Sequence, residues 1–247
     1  MKSAFYQILA VALPIIFFVD LPAGSPSKPP DPSEQCVQKL VAIAKSATAA
    51  TLISSGDRVR IGSKEVRLRA QVEAEERSPD NKKYLIGLRV DVFVGGILQP
   101  LTFGSVGIGS ARGDAIETAV SDWAMYVGDV LLGALGVKIG EEPLNVGPFL
   151  VYQGLVGVRG SSSPWSTEKN RQLLHRLDSL VKGLGHSPGE LHSISLMILV
   201  EQDGTTQGEC RVDGVMSPAA LTAVQSFPWT QQGAAYVFKQ FYVLRRR

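Results

Sequence analysis

Between residues 65 and 94 the side chains alternate in character, and this alternation limits the chain to a fold built on a sheet. Val66, Leu68, Ala70, Val72 and Ala74 are interleaved with Arg67, Arg69, Gln71, Glu73 and Glu75. Successive side chains of an extended strand point to opposite faces, so one face is apolar and the other is charged. Ser78-Pro79-Asp80-Asn81 supplies a turn, after which Leu88, Val90, Val92 and Val94 line one face of a second strand over 84–94. Gly95-Gly96 then leads to a third strand over 97–107. Connections this short join antiparallel neighbours and predict a meander.

Helical periodicity flanks the meander. Val37, Leu40, Val41, Ile43, Ala44 and Ala47 fall near one face of a helix over 35–53, ended by Ser54-Ser55-Gly56. A second helix spans 115–135, with Asp114 as its N-cap and Glu117 three residues later. Ile116, Ala119, Val120, Trp123, Val127, Val130 and Leu131 form its stripe, Trp123 is a core anchor, and Gly136 provides the left-handed stop. Pro143 to Pro148 read as a loop, followed by a strand over 149–158 and a helix over 166–183. Strands over 191–202 and 205–213 meet through Asp203-Gly204, Ser217 caps a short helix, and a strand over 234–245 closes the chain. The expected class is α+β, with largely antiparallel sheet packed against a few amphipathic helices. The halves 55–140 and 146–247 form either two layers of one domain or two subdomains.

The N-terminus reads as an address. Lys2 precedes an apolar segment, Ile8–Val19, interrupted by Pro14 and closed by Asp20. That is the length of a signal peptide core, whereas a membrane span needs about 20 apolar residues. Cleavage is expected after Ala23, giving a signal peptide over 1–23, a proline-rich spacer over 24–35 and a body over 36–247. An uncleaved anchor, or a false start ahead of a cytoplasmic protein, is the competing reading. The location expected from the leader is extracytoplasmic, periplasmic or secreted, with a membrane contact only if the segment is retained. The formal charge is +2 and the basic residues are dispersed, which argues against nucleic acid as a partner. Arg245-Arg246-Arg247 is the exception and reads as a solvated tail. In an oxidising compartment the two cysteines, Cys36 and Cys210, are expected to pair; two buried free thiols are the alternative.

Candidate chemistry is sparse. Gly104 to Gly113 is a glycine-rich run entering a helix, where Gly107, Gly109 and Arg112 could receive an anion. Its spacing matches neither the dinucleotide fingerprint nor a phosphate loop, and Asp114 would repel an anion, so a tight strand-to-helix connection is the competing reading. His186, Glu190 and His192 lie close enough in sequence to form an acid–base or metal cluster, although Ser187-Pro188-Gly189 has the character of a turn. His175 lies near Asp178 on a polar helix face. Phe227, Trp229, Tyr236, Phe238, Phe241 and Tyr242 form an aromatic C-terminal group suited to a core or to a partner. No cofactor and no metal is expected.

The Gly104–Gly109 run leading to Trp123, with the ending Tyr236-Val-Phe-Lys-Gln-Phe-Tyr-Val-Leu244, resembles an uncharacterised bacterial protein family of about this size. The resemblance implies a bacterial origin and an unknown function, and it carries over no active-site residue. The expected function is an exported, non-catalytic binding or interaction module with a possible protein partner. Its rival is a small extracytoplasmic hydrolase using the His/Glu cluster, with or without a metal.

Overall fold

The computed structural model describes residues 31–47, 52–78, 80–101, 103–139, 142–154, 157–159, 166–185, 187–229 and 234–247. The expected signal peptide lies outside the described residues, as do most of the spacer, the Gly160–Pro164 loop and His186. No described helix is long and apolar enough to cross a membrane.

Two antiparallel sheets carry the fold, as the alternation predicts. The first holds β1 (Ile53–Ser55), β2 (Arg58–Ile61), β3 (Lys64–Arg77), β4 (Tyr84–Val94), β5 (Ile97–Leu98) and β6 (Phe103–Gly109). They are ordered β1-β2-β3-β4-β5, with β6 also paired to β4. Val59, Ile61, Val66, Leu68, Leu88, Val90 and Val92 fill one face. The expected third strand is split in two, with Pro100 in the gap, where no amide is available for a continuous ladder. The β1–β2 hairpin replaces the end of the first expected helix; Gly56 takes φ +55 in its turn.

Helix α1 (Pro32–Ala47) starts inside the expected spacer. Asp31 accepts the Ser33 amide at 2.8 Å and Pro32 occupies the first helical position, where its missing amide costs nothing. The second helix begins earlier than expected, as α2 (Arg112–Trp123), and Asp114 is its third residue rather than its cap. From there its carboxylate reaches back to the Ala111 amide at 3.1 Å and the Ser110 hydroxyl at 2.9 Å. A wide π turn over Ala124–Gly128 separates α2 from α3 (Asp129–Ala134). Gly136 ends this run at φ +100, as the sequence predicts.

The second sheet contains β7 (Leu144–Val146), β8 (Phe149–Gln153), β9 (Gly157–Arg159), β10 (Leu191–Val200), β11 (Thr206–Val212), β12 (Val215–Met216) and β13 (Tyr236–Arg246). Its order is β12-β11-β10-β13-β8-β7, and β9 pairs with another stretch of β13. Helices α4 (Thr167–Arg176), α5 (Asp178–Lys182) and α6 (Pro218–Gln225) cover one face. Ser166 and Ser217 cap α4 and α6 through their hydroxyls.

Helices α1 to α3 lie between the two sheets. Their apolar residues join the inner face of the first sheet and Leu191, Phe241 and Val243 of the second in one core. Tyr236, Phe238, Tyr242 and Leu244 point the opposite way, into a second core with α4 to α6. The C-terminal aromatic group is therefore buried on both sides of β13. Lys239 crosses between layers: its Nζ lies 2.7 Å from Asp122 of α2 and 4.3 Å from the centre of the Tyr126 ring. The terminal arginines do not form a free tail: Arg245 and Arg246 are half-buried, and the exposed Arg247 is tied back by a hydrogen bond. Arg245 donates to Ala134 O at the end of α3, Arg246 to Gly185 O and Arg247 to Gly147 O. Arg245 therefore also meets the negative end of a helix.

Gly107 and Gly109 set how closely α2 approaches β6. A Cβ on Gly107 would lie 1.8 Å from Ala115 O, and one on Gly109 would lie 2.5 Å from the Ala115 amide nitrogen. Both contacts are with backbone, which cannot rotate away. Gly107→Ala is expected to cost about 3 kcal/mol or more, since overpacking a close helix–sheet contact forces the layers apart. Denaturant titration checks this; an unchanged midpoint would contradict the packing role.

Candidate functional site

Of the three residues in the expected His/Glu cluster, Glu190 and His192 come together and His186 lies outside the described residues. His192 is the second residue of β10, and the loop before that strand folds back so that Glu190 Oε1 is 3.8 Å from His192 Nε2. Glu190 Oε2 accepts the Ser187 amide at 3.1 Å, fixing the carboxylate within its own turn. The Glu190 carbonyl accepts the Arg246 amide at 3.0 Å, which ties this turn to the end of β13.

The opposite nitrogen of His192 has a stronger partner. Nδ1 lies 2.9 Å from Asp213 Oδ2, while Asp213 Oδ1 accepts the Ser193 amide at 2.9 Å. A carboxylate only accepts, so this contact assigns the proton to Nδ1. Asp213 stands at φ +52, a left-handed conformation uncommon outside glycine, and its amide donates to Ser193 O. These bonds hold the strained turn between β11 and β12. The sequence offered one cue to Asp213, the Asp-Gly turn signal at 213–214. Its approach to His192 follows from the register Ile194↔Val212, which residue types alone do not specify.

The cluster is enclosed. His192 is only 5% exposed, Phe149 meets its ring edge-on at 6.0 Å, and Nε2 has no hydrogen-bond partner. Gly185, at φ +40, covers that nitrogen so closely that a Cβ there would lie 2.2 Å from it. The neighbouring serine is engaged as well, because the Ser193 hydroxyl donates to Pro100 O at 2.7 Å. That bond also links the second sheet to the connection between β5 and β6. Among the described residues no group of His, Cys, Asp and Glu is placed to hold a metal ion.

The glycine-rich run forms the tight strand-to-helix connection. Gly107 and Gly109 face α2, and Arg112 Nε lies 2.9 Å from Glu75 Oε2 at the far end of β3. The Asp114 carboxylate already occupies the amide at the helix start. These residues therefore do not converge on an anion site. His175 does not pair with Asp178, which faces Lys182 instead. A groove of about 760 Å³ runs along α4, with Arg171, His175 and Arg176 on one wall and Phe227-Pro228 on the other. Neither Glu190 nor His192 lines it.

The expected Cys36–Cys210 bridge is not formed. Cys36 belongs to the core beneath the first sheet and Cys210 to the core beyond the second, and both thiols are free and fully buried. Burial pushes each thiol up to about 12, helped by Asp31 at Cys36 and by Glu209 at Cys210. The thiolate is the reactive form, so neither cysteine is a competent nucleophile near neutral pH. Both thiols are expected to resist iodoacetamide in the folded protein and to react together after denaturation without reductant. Recovery of a single disulfide-linked species in non-reducing mass analysis would contradict this.

Residues 52–246, which span both sheets and every described helix except α1, match the sequence model of a family of unknown function (DUF6348). No curated protein matches the chain, and no solved structure matches it.

Proposed function

The chain belongs to the DUF6348 family of unknown function, and from its own geometry we propose that it acts as a non-catalytic binding or interaction module. The observation that carries this reading is the enclosure of His192. Asp213 takes Nδ1, and Nε2 faces Glu190 beneath Gly185. A general base must reach the proton it removes to within about 3 Å, and this nitrogen is covered by backbone. Asp213, Glu190 and His192 are better explained as a staple that holds the β11–β12 turn and the end of β13 against β10.

The module is proposed to work outside the cytoplasm. That part rests on residues 1–23, because the unpaired thiols lend it no support. The N-terminal sequence of mature protein from its native source is expected to start after Ala23.

The rival hydrolase keeps one favourable observation, the buried Nε2 without a hydrogen-bond partner beside a carboxylate. Such a group is costly unless something else uses it. Purified protein assayed against chromogenic acyl esters, phosphoesters, glycosides and peptides is expected to give no turnover that His192→Asn removes. Its elemental analysis is expected to show no stoichiometric metal. An activity lost in His192→Asn with an unchanged melting curve, or a bound metal lost in Glu190→Gln, would establish the hydrolase instead.

A further inference from the structure

The outer face of the first sheet, turned away from α1 and α2, brings together exposed cations in regular rows. Side chains of directly paired residues share a face, so the register gives the rows. Ile53, Arg60 and Glu65 form one row across β1, β2 and β3. Arg58, Arg67, Phe93 and Leu98 form the next, across β2 to β5. Arg69 opposite Asp91, and Gln71 opposite Arg89, complete the field.

Two features make this more than a solvated charged face. Asp91 is only 1% exposed, and it holds two guanidiniums, with Arg69 Nη2 at 2.7 Å and Arg89 Nε at 2.9 Å. Burial pushes its carboxyl up, but the two arginines outweigh this and hold it below its usual value. Asp91 therefore stays charged and fixes both arginines; Glu73 takes Nη1 of Arg89 at 3.2 Å, while the remaining N–H groups of Arg69 are left for another acceptor. Arg67 and Arg69 also lie against the Phe93 ring, 4.8 and 5.4 Å from its centre, which adds to the Asp57 and Asp91 pairs in orienting them. The second feature is apolar surface in the same field: Leu98 is 50% exposed and Ile53 is 67% exposed.

We propose that this face docks an acidic surface of a partner protein, with partner carboxylates on the arginines and apolar side chains against Phe93 and Leu98. The inference rests on the binding-module reading. Five arginines (Arg58, Arg60, Arg67, Arg69 and Arg89) face Asp57, Glu65 and Glu73 at the surface, with Asp91 beneath. The arginines outnumber these four carboxylates by one, and Arg60 forms none of these ion pairs, so the face carries a net positive charge that favours an acidic partner. The interleaved carboxylates and exposed apolar groups favour a protein over a polyphosphate backbone, which is uniformly charged. Arginine with an aromatic neighbour is also the composition of interface hot spots. With strands about 4.8 Å apart, and β1, β2 and β5 only three, four and two residues long, the field covers roughly 350 Å². That is about half of one partner's share in a stable complex, so the contact is of the weak, exchanging kind.

The test uses the full chain and three fluorescein-labelled probes: a peptide of Asp, Glu, Leu and Phe, its Asn/Gln counterpart, and an oligothymidylate of matched charge. Fluorescence anisotropy is expected to show binding of the acidic peptide that weakens with salt, with little binding of the other two. Arg60→Glu with Arg67→Glu leaves the Asp91 pairs intact and is expected to weaken that binding by at least about tenfold. Arg60→Glu alone, at an exposed position, is expected to weaken it less and guards against misfolding of the double variant. Arg171→Glu with Arg176→Glu, on α4, is expected to leave it unchanged. Equal binding of acidic and neutral peptides, absence of binding, preference for the oligonucleotide, or loss of binding only in the α4 variant would overturn the proposal. Those outcomes remove this face alone; the binding-module reading itself falls to an activity that His192→Asn abolishes.

Discussion

Strand β13 is buried on both of its faces, and the rest of the architecture follows from that constraint. A strand with Phe241 and Val243 on one side and Phe238, Tyr242 and Leu244 on the other must have an apolar layer against each. The α1–α3 layer meets the first requirement and α4 to α6 the second. The first sheet then closes the far side of α1 and α2. Lys239 is one of the polar exceptions on the strand. Its ammonium reaches Asp122 and lies over Tyr126, so the crossing between layers is ionic as well as apolar. Gln240, buried on the same strand, donates its side-chain NH2 to Gly154 O and Phe241 O, which anchors the chain after β8, while its Oε1 has no hydrogen-bond partner.

Much of the meander was legible because amphipathic strands advertise their faces. β3 and β4 follow the alternation almost to the residue, and the charged set on β3 became the open surface with Asp91 at its centre. The helix stripes were legible for the same reason, including Trp123 at its core position. Errors arose where backbone chemistry competed with periodicity. Pro100 divided a strand, and the polar Ser-Ser-Gly stretch made a hairpin rather than a helix end; the break at Leu177, a good helix former, has no such cause in its own side chain. The α2 start was displaced because an acid can serve a helix N-terminus either as cap or three residues in. Asp114 does the latter, leaving the N-cap position to Ala111.

Long-range pairings were the least legible. Cys36 and Cys210 each sit in an apolar pattern, and nothing in those patterns says that the patterns belong to different cores. Asp213 meets His192 through strand register, and Asp91 meets both Arg69 and Arg89 by the same route. The terminal arginines looked like a tail because three charges ended the chain. Each in fact finds a backbone carbonyl, and the last residues of β13 thereby pin the turns around Gly147 and Gly185.

Chemistry in this protein is divided between an enclosed histidine–carboxylate staple and an open arginine face, and the functional account depends on that division. Diethyl pyrocarbonate labelling followed by peptide mass mapping tests it directly, because the reagent needs an accessible imidazole nitrogen. The account predicts that the exposed His175 is modified rapidly while His192 is protected until the protein unfolds. Modification of His192 at a rate close to that of His175 in the folded chain would contradict it.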